Sequence, residues 1–139
     1  MSYAAGLALQ AAVYQELRAD AALTDLVGDA IFDAMPAEAP SGVYVSLGPE
    51  EVRDAGDVTA GGSQHDFIVS VLSGTDESAG FAAVKEAAVA VSEALERQTL
   101  PLAKGQLSGI WFLRAKARRV ENGVARRIDL TFRARIDLG

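Results

Sequence analysis

A chain of 139 residues, 50% hydrophobic and 23% charged, can bury a core without staples and has the composition of a folded protein rather than a disordered one. It has no cysteine, which removes thiolate nucleophiles, disulfides and cysteine-ligated metals together. The net charge of −6 is unevenly placed: residues 1–102 hold 4 basic and 16 acidic side chains, residues 103–139 hold 9 and 3. Such a split fits solvated faces of one domain, or opposite poles that favour subunit contact or anion binding.

No basic residue precedes Arg18, so the start does not read as a signal peptide, and no apolar run approaches the ~20 residues of a membrane span. The expectation is one domain over residues 1–139, made in the cytoplasm and without a membrane partner.

Residues 3–19 read as an amphipathic helix with Leu7, Ala11, Tyr14 and Leu17 on one face. Gly6 weakens its first turn. Asp20 can cap a short second helix through Leu26 and Val27, which Gly28 stops. Ile31-Phe32 reads as a brief extended piece, and Pro36, Pro40 and Gly42 mark residues 34–42 as a loop. Val43–Leu47 alternates as a strand, resuming near Glu51–Arg53 after a break at Gly48-Pro49. Asp54–Ser63, rich in Gly, Asp and Ala, reads as a long loop tip that a partner could order.

Residues 65–73 form the next strand. His65, Phe67, Val69 and Val71 share one face, and the half-apolar second face predicts a central strand covered on both sides. Thr75 is placed to cap a helix to Arg97, with Asp76 and Glu77 in its first turn and Phe81, Val84, Ala88, Val91 and Leu95 as its buried stripe. Pro101 prevents continuation. The chain closes in two long strands around the turn signal Asn122-Gly123. Arg114, Lys116 and Arg118 share one face of the first. Arg127, Asp129, Thr131, Arg133 and Arg135 share one face of the second, opposite Ile128, Leu130, Phe132, Ala134 and Ile136. The order predicts an α+β fold: a mostly antiparallel sheet, helices packed on one face, and a long C-terminal β-hairpin with one strongly basic face.

The inventory for chemistry is thin. His65 is the only histidine and begins a strand. No Gly-x-Ser-x-Gly turn, P-loop or dinucleotide fingerprint occurs. Glu50-Glu51 falls in a predicted turn, and Asp76-Glu77 is accounted for by helix capping. These readings predict no catalytic residue, no cofactor and no metal. The basic hairpin could meet nucleic-acid phosphates. Its few aromatics, Trp111 and Phe112 at one end and Phe132 in the core, make a poor base-stacking platform. The competing reading is ion pairing, across strands or between subunits, with Asp129, Asp137 and the acidic N-terminal part.

Ala11-Ala12-Val13-Tyr14, Leu17, Ala19–Leu23, Leu26-Val27-Gly28, Ile31-Phe32-Asp33 and Pro36 resemble the opening of the tail-completion proteins of tailed phages, a family also found in prophages and gene transfer agents. Val43–Gly48, then His65, Phe67, Val69, Val71 and Ser73, then Lys85 and Ala94-Leu95, then the Arg-rich closing strands, continue the match over almost the whole chain. Two positions depart: Ser41-Gly42-Val43 stands where Phe-Pro commonly precedes the strand tyrosine, and Leu72 stands where Trp is common.

The resemblance implies a non-enzymatic tail terminator of the virion's tail-neck region, assembled in the host cytoplasm. It would form a homo-hexameric ring on the last ring of tail tube protein and present a surface to the head-tail connector protein, with DNA only as transient channel cargo. A head-tail connector or neck protein is the related alternative, and a nucleic-acid-binding module the unrelated one. The candidate subunit-interface or channel-facing residues are Arg114, Lys116, Arg118, Arg119, Arg127, Arg133 and Arg135. The candidate partner-contact loop residues are Asp54, Asp57, Gly61 and Gly62.

Overall fold

The computed structural model describes residues 3–75, 80–97, 100–120 and 125–139. Its elements run α1 (Ala5–Ala19), α2 (Ala21–Val27), β1 (Ile31–Phe32), β2 (Tyr44–Asp54), β3 (Gly62–Leu72), α3 (Phe81–Arg97), β4 (Gln106–Val120) and β5 (Ala125–Asp137). The strands form one sheet in the order β1-β2-β3-β5-β4, parallel only between β1 and β2. The predicted α+β class is the observed one. The core lies between one face of this sheet, here the helix face, and the three helices.

Local signals account for most boundaries. The Asp20 carboxylate accepts from the Leu23 N–H at 3.0 Å and starts α2. Gly28, at φ 64°, ends it, with its N–H on the Thr24 carbonyl at 2.8 Å. The face of α1 is not the expected one. Ala5, Leu9, Val13 and Leu17 are buried, whereas Leu7 is 78% exposed and Ala11 is exposed too. An Ala- and Leu-rich helix offers two apolar stripes, and periodicity does not choose between them.

α3 buries the predicted Val84, Ala88, Val91 and Leu95, and its alanines 87, 90 and 94 let it lie close on the sheet. It starts later than predicted. It begins at Phe81, six residues past Thr75, whose N–H donates to the Pro40 carbonyl at 3.0 Å. Asp76 and Glu77 lie outside the described residues.

β2 runs unbroken through Gly48-Pro49, with a shift of register between Leu47 and Glu50. A bulge absorbs the proline on a stretch of β2 beyond Val45 and Ser46, the two residues that β1 pairs, so the expected break is a kink. Glu50 and Glu51 therefore sit in a strand, not a turn. Glu50 accepts from the Tyr3 hydroxyl, and Glu51 pairs with Arg53 at 3.0 Å.

β3 is central as predicted, but no helix covers its second face. There Asp66 and Ile68 are half-buried, and Ser70 is buried beneath the side chains hydrogen-bonded to it. On the helix face Phe132 is fully buried. It stacks on Phe67 (5.7 Å) and meets Phe112 edge-on (5.9 Å), pairs worth ~0.5–1.5 kcal/mol each beyond burial.

Candidate interaction surface

The hairpin places its charges by register. Arg118 lies opposite Arg127, Lys116 opposite Asp129, Arg114 opposite Thr131 and Trp111 opposite Arg133, all on the face of the sheet that carries no helix, the open face. Register shifts at Leu107/Gly109 and Phe112/Arg114 keep these side chains in phase along β4. Arg119 departs from the expectation. It pairs with Arg126 on the helix face, where Arg126 lies over the Phe81 ring at 5.6 Å.

The cations divide into two groups. Arg133 holds Asp66 with two parallel bonds, Nε to Oδ1 at 2.8 Å and Nη2 to Oδ2 at 3.0 Å. That pairing holds the Asp66 carboxyl below its ordinary range against some loss of hydration. Asp129 accepts from Ser70 Oγ (2.6 Å) and Arg127 Nε (2.8 Å), with Arg118 at 3.5 Å. Burial pushes its pKa up, but the bonds from Ser70 and Arg127 outweigh that and leave it lowered. Arg135 donates to the Ala55 carbonyl at 2.7 Å. Arg114, Lys116 and Arg119, by contrast, make no hydrogen bond or ion pair with the described residues. Arg114 instead helps line a shallow cleft of about 240 Å³ on the open face with Pro49, Glu51, Asp66, Ile68 and Thr131.

The acidic loop is shorter and better tied than its composition predicts. Asp54 ends β2 and Gly62 begins β3, paired with Ser63 and Asp137 respectively. Between them Asp57 accepts from the Thr59 N–H, the Thr59 hydroxyl and the Ala60 N–H at 2.8, 3.0 and 2.8 Å, bonds that hold its carboxyl below the usual range. Gly61 exchanges backbone bonds with the C-terminal residues: its N–H meets the Gly139 carbonyl, and its carbonyl takes the Leu138 N–H. With the Arg135–Ala55 bond, these contacts bring the loop and the base of the hairpin together at one end of the sheet.

Two features escaped the sequence reading. Trp111, Phe112 and Leu113 do not start a strand. They lie in the middle of β4, at the open edge of the sheet, and are 48%, 41% and 38% exposed. Beyond them Ala115 and Ala117 point to the helix face and are nonetheless exposed, although their partners Leu130 and Ile128 are buried, so β4 alone overhangs the helices here. The second feature is a groove of about 420 Å³ lined by Ala8, Ala11, Ala12 and Ala19 of α1 and by Pro101 and Ala103, with Gln15 and Glu16 as its polar members. The cluster of small residues in α1 was the available signal, of which the sequence reading set Ala11 alone on the apolar face.

The one serine–histidine contact is Ser63 Oγ to His65 Nε2 at 2.8 Å, and both residues are fully buried. Burial lowers the His65 pKa, partly offset by the charge of Glu50, and Nδ1 has no partner. Without a carboxylate on Nδ1 and without access for a substrate, this pair is a packed polar contact rather than a nucleophile and base.

Comparison with known proteins gives the same direction from most of the chain. The family model described as tail completion protein gp17 matches residues 11–137. A chain of the solved "Virion of native gene transfer agent (GTA) particle" is 59% identical, with a TM-score of 0.88, over 98% of this chain and 99% of that one. No curated protein matches.

Proposed function

We propose that this chain, which belongs to the tail completion protein gp17 family, terminates a phage-type tail tube. At the coarser level it is a structural protein of the tail, carried in the virion like the gene transfer agent chain it matches end to end. The finer reading is a homo-hexameric ring. One side of the ring sits on the last ring of tail tube protein and stops its growth, and the other side receives the head-tail connector. The ring's channel lets DNA pass.

The observation that carries the reading is near-full-length likeness to a virion chain, in a fold that leaves a basic hairpin and an apolar strand edge exposed. Head-to-tail contacts close into rings when one surface of a subunit complements a different surface of the next. An acidic helical side and a basic hairpin supply two such surfaces. A nucleic-acid-binding module is less well supported, because Arg118, Arg127, Arg133 and Arg135 already have partners in their own chain. The three hairpin cations that have no hydrogen bond or ion pair among the described residues, Arg114, Lys116 and Arg119, would by themselves give a salt slope of only roughly −3.

The test is electron microscopy of particles assembled without this protein. Overlong tails lacking heads are the expected result. Tails of normal length joined to filled heads would end the proposal.

A further inference from the structure

The ring reading leaves open which surfaces meet. We infer that the Trp111–Phe112–Leu113 segment of one copy's β4 docks in the α1 groove of the next copy, with Arg114 and Lys116 facing Glu16. The inference rests on the ring reading and deepens it.

The donor side keeps apolar bulk exposed even where it touches its own chain: Phe112 meets Phe132 edge-on and is still 41% exposed. Three large apolar side chains stand consecutively on an edge strand, and the strand continues past them with both faces open. Every β4 side chain from Trp111 to Arg119 is exposed although Ile128, Leu130 and Phe132 beside it on β5 are buried, so this edge of the sheet calls for cover that the helices do not give. An unpaired strand edge with exposed aromatics is the usual form of a contact anchored by a few large side chains.

The acceptor side has the complementary shape. The α1 groove is walled by alanines and a proline, so its volume of about 420 Å³ is left by side chains too small to fill it. Glu16 makes no hydrogen bond or ion pair with the described residues, and neither do Arg114 and Lys116. The partner that matches is a second copy of this chain, because the basic hairpin and the acidic helical part complement each other in charge. Two hairpins meeting each other would oppose like charges, so the contact runs head to tail. A knob that fits a distant pocket on the same molecule generates that kind of open or closed chain of subunits.

The absence of cysteine makes the test direct. Gln15→Cys and Ala115→Cys are exposed positions beside the groove and beside the knob. A short bismaleimide should cross-link a mixture of the two single variants, leave each single variant uncoupled, and convert the double variant into a ladder, both in purified protein and in assembled particles. Trp111→Ala should weaken self-association by at least roughly ten-fold without unfolding the chain.

Cross-linking of Ala115→Cys with itself would mean a two-fold contact and would overturn the inference. An oligomer by light scattering that yields no mixed cross-link would also overturn it, while leaving the ring reading intact. A strict monomer, alone and with tail tube protein, would remove the ring reading and this inference with it.

Discussion

Replacing Asp129 by asparagine takes one charge and almost no volume from the centre of the open face. The carboxylate accepts short bonds from Ser70 and Arg127 and sits 3.5 Å from Arg118. Hydrogen bonds to a charged group are worth ~1.5–3 kcal/mol when buried. Here the side chains of Asp129 and Arg127 keep 17% and 23% of their exposure, and water screens part of the attraction. Asp129→Asn keeps an acceptor for Ser70 and should cost about 1 kcal/mol. Asp129→Ala also strands the buried Ser70 hydroxyl and should cost about 2 kcal/mol. Because the folded pKa is lowered, this stability is fully present above the unfolded value near ~3.9 and is lost as pH falls through the folded one. Equilibrium urea unfolding of wild type and Asp129→Asn from about pH 7 down to about pH 3 measures both effects. The gap should be open at neutral pH and close in acid. An asparagine variant as stable as wild type at neutral pH, or a gap that ignores pH, would show that the Asp129 pairs do not organise this face.

Two further substitutions probe the core. Leu9→Ala should cost ~2–5 kcal/mol and Leu7→Ala no more than ~0.5 kcal/mol, read from urea midpoints, because only Leu9 faces the sheet; equal effects would reverse the assignment of the α1 face. His65, held neutral by burial, contributes stability that is complete above the unfolded value near ~6.5 and declines as pH falls toward its lowered folded pKa. Replacing both members of the pair, His65→Leu with Ser63→Ala, should leave stability near wild type at neutral pH and flatten that decline. His65→Leu alone should cost ~1–3 kcal/mol by leaving the Ser63 hydroxyl without its partner. A steep decline that survives in the double variant would place the titrating group elsewhere.

What the sequence made legible follows the range of the interaction involved. Asp20 and Gly28 act within one turn of chain, and both ends of α2 fall where they put them. The alternation of β3 and β5 fixes which residues face the helices, because a period of two has only two phases. The contact of Thr75 with Pro40 was hidden because the two residues are distant in sequence. The second face of β3 misled for a related reason: Ile68 and Leu72 look like residues under a second layer, but ion pairs from β5 cover much of that face. On the candidate surface, composition revealed the basic hairpin but not its division into paired and free cations. That division depends on Asp66, which lies 67 positions from Arg133 in the chain. The two expected landmarks at Asn122 and Gly123 lie outside the described residues.

This division changes which substitutions report on assembly. Reversing Arg127 or Arg133 sets a new carboxylate beside Asp129 or Asp66, so any loss of assembly is mixed with damage to the fold. Arg114 and Lys116 carry the same charge on the same face and make no hydrogen bond or ion pair among the described residues, although the charge of Arg114 is felt by Asp66. Arg118 and Arg135, partnered but exposed, fall between these cases. The hairpin is therefore built from two kinds of cation. One kind fastens β5 to β3 through Asp66 and Ser70. The other is left facing outward on β4, the strand that has no neighbour on its far side. A strand that needed only to complete the sheet could end near Ile110, where cover by the helix layer ends. The ten residues of β4 that follow, Trp111–Val120, are the part of the strand that the inferred contact with a second copy would cover.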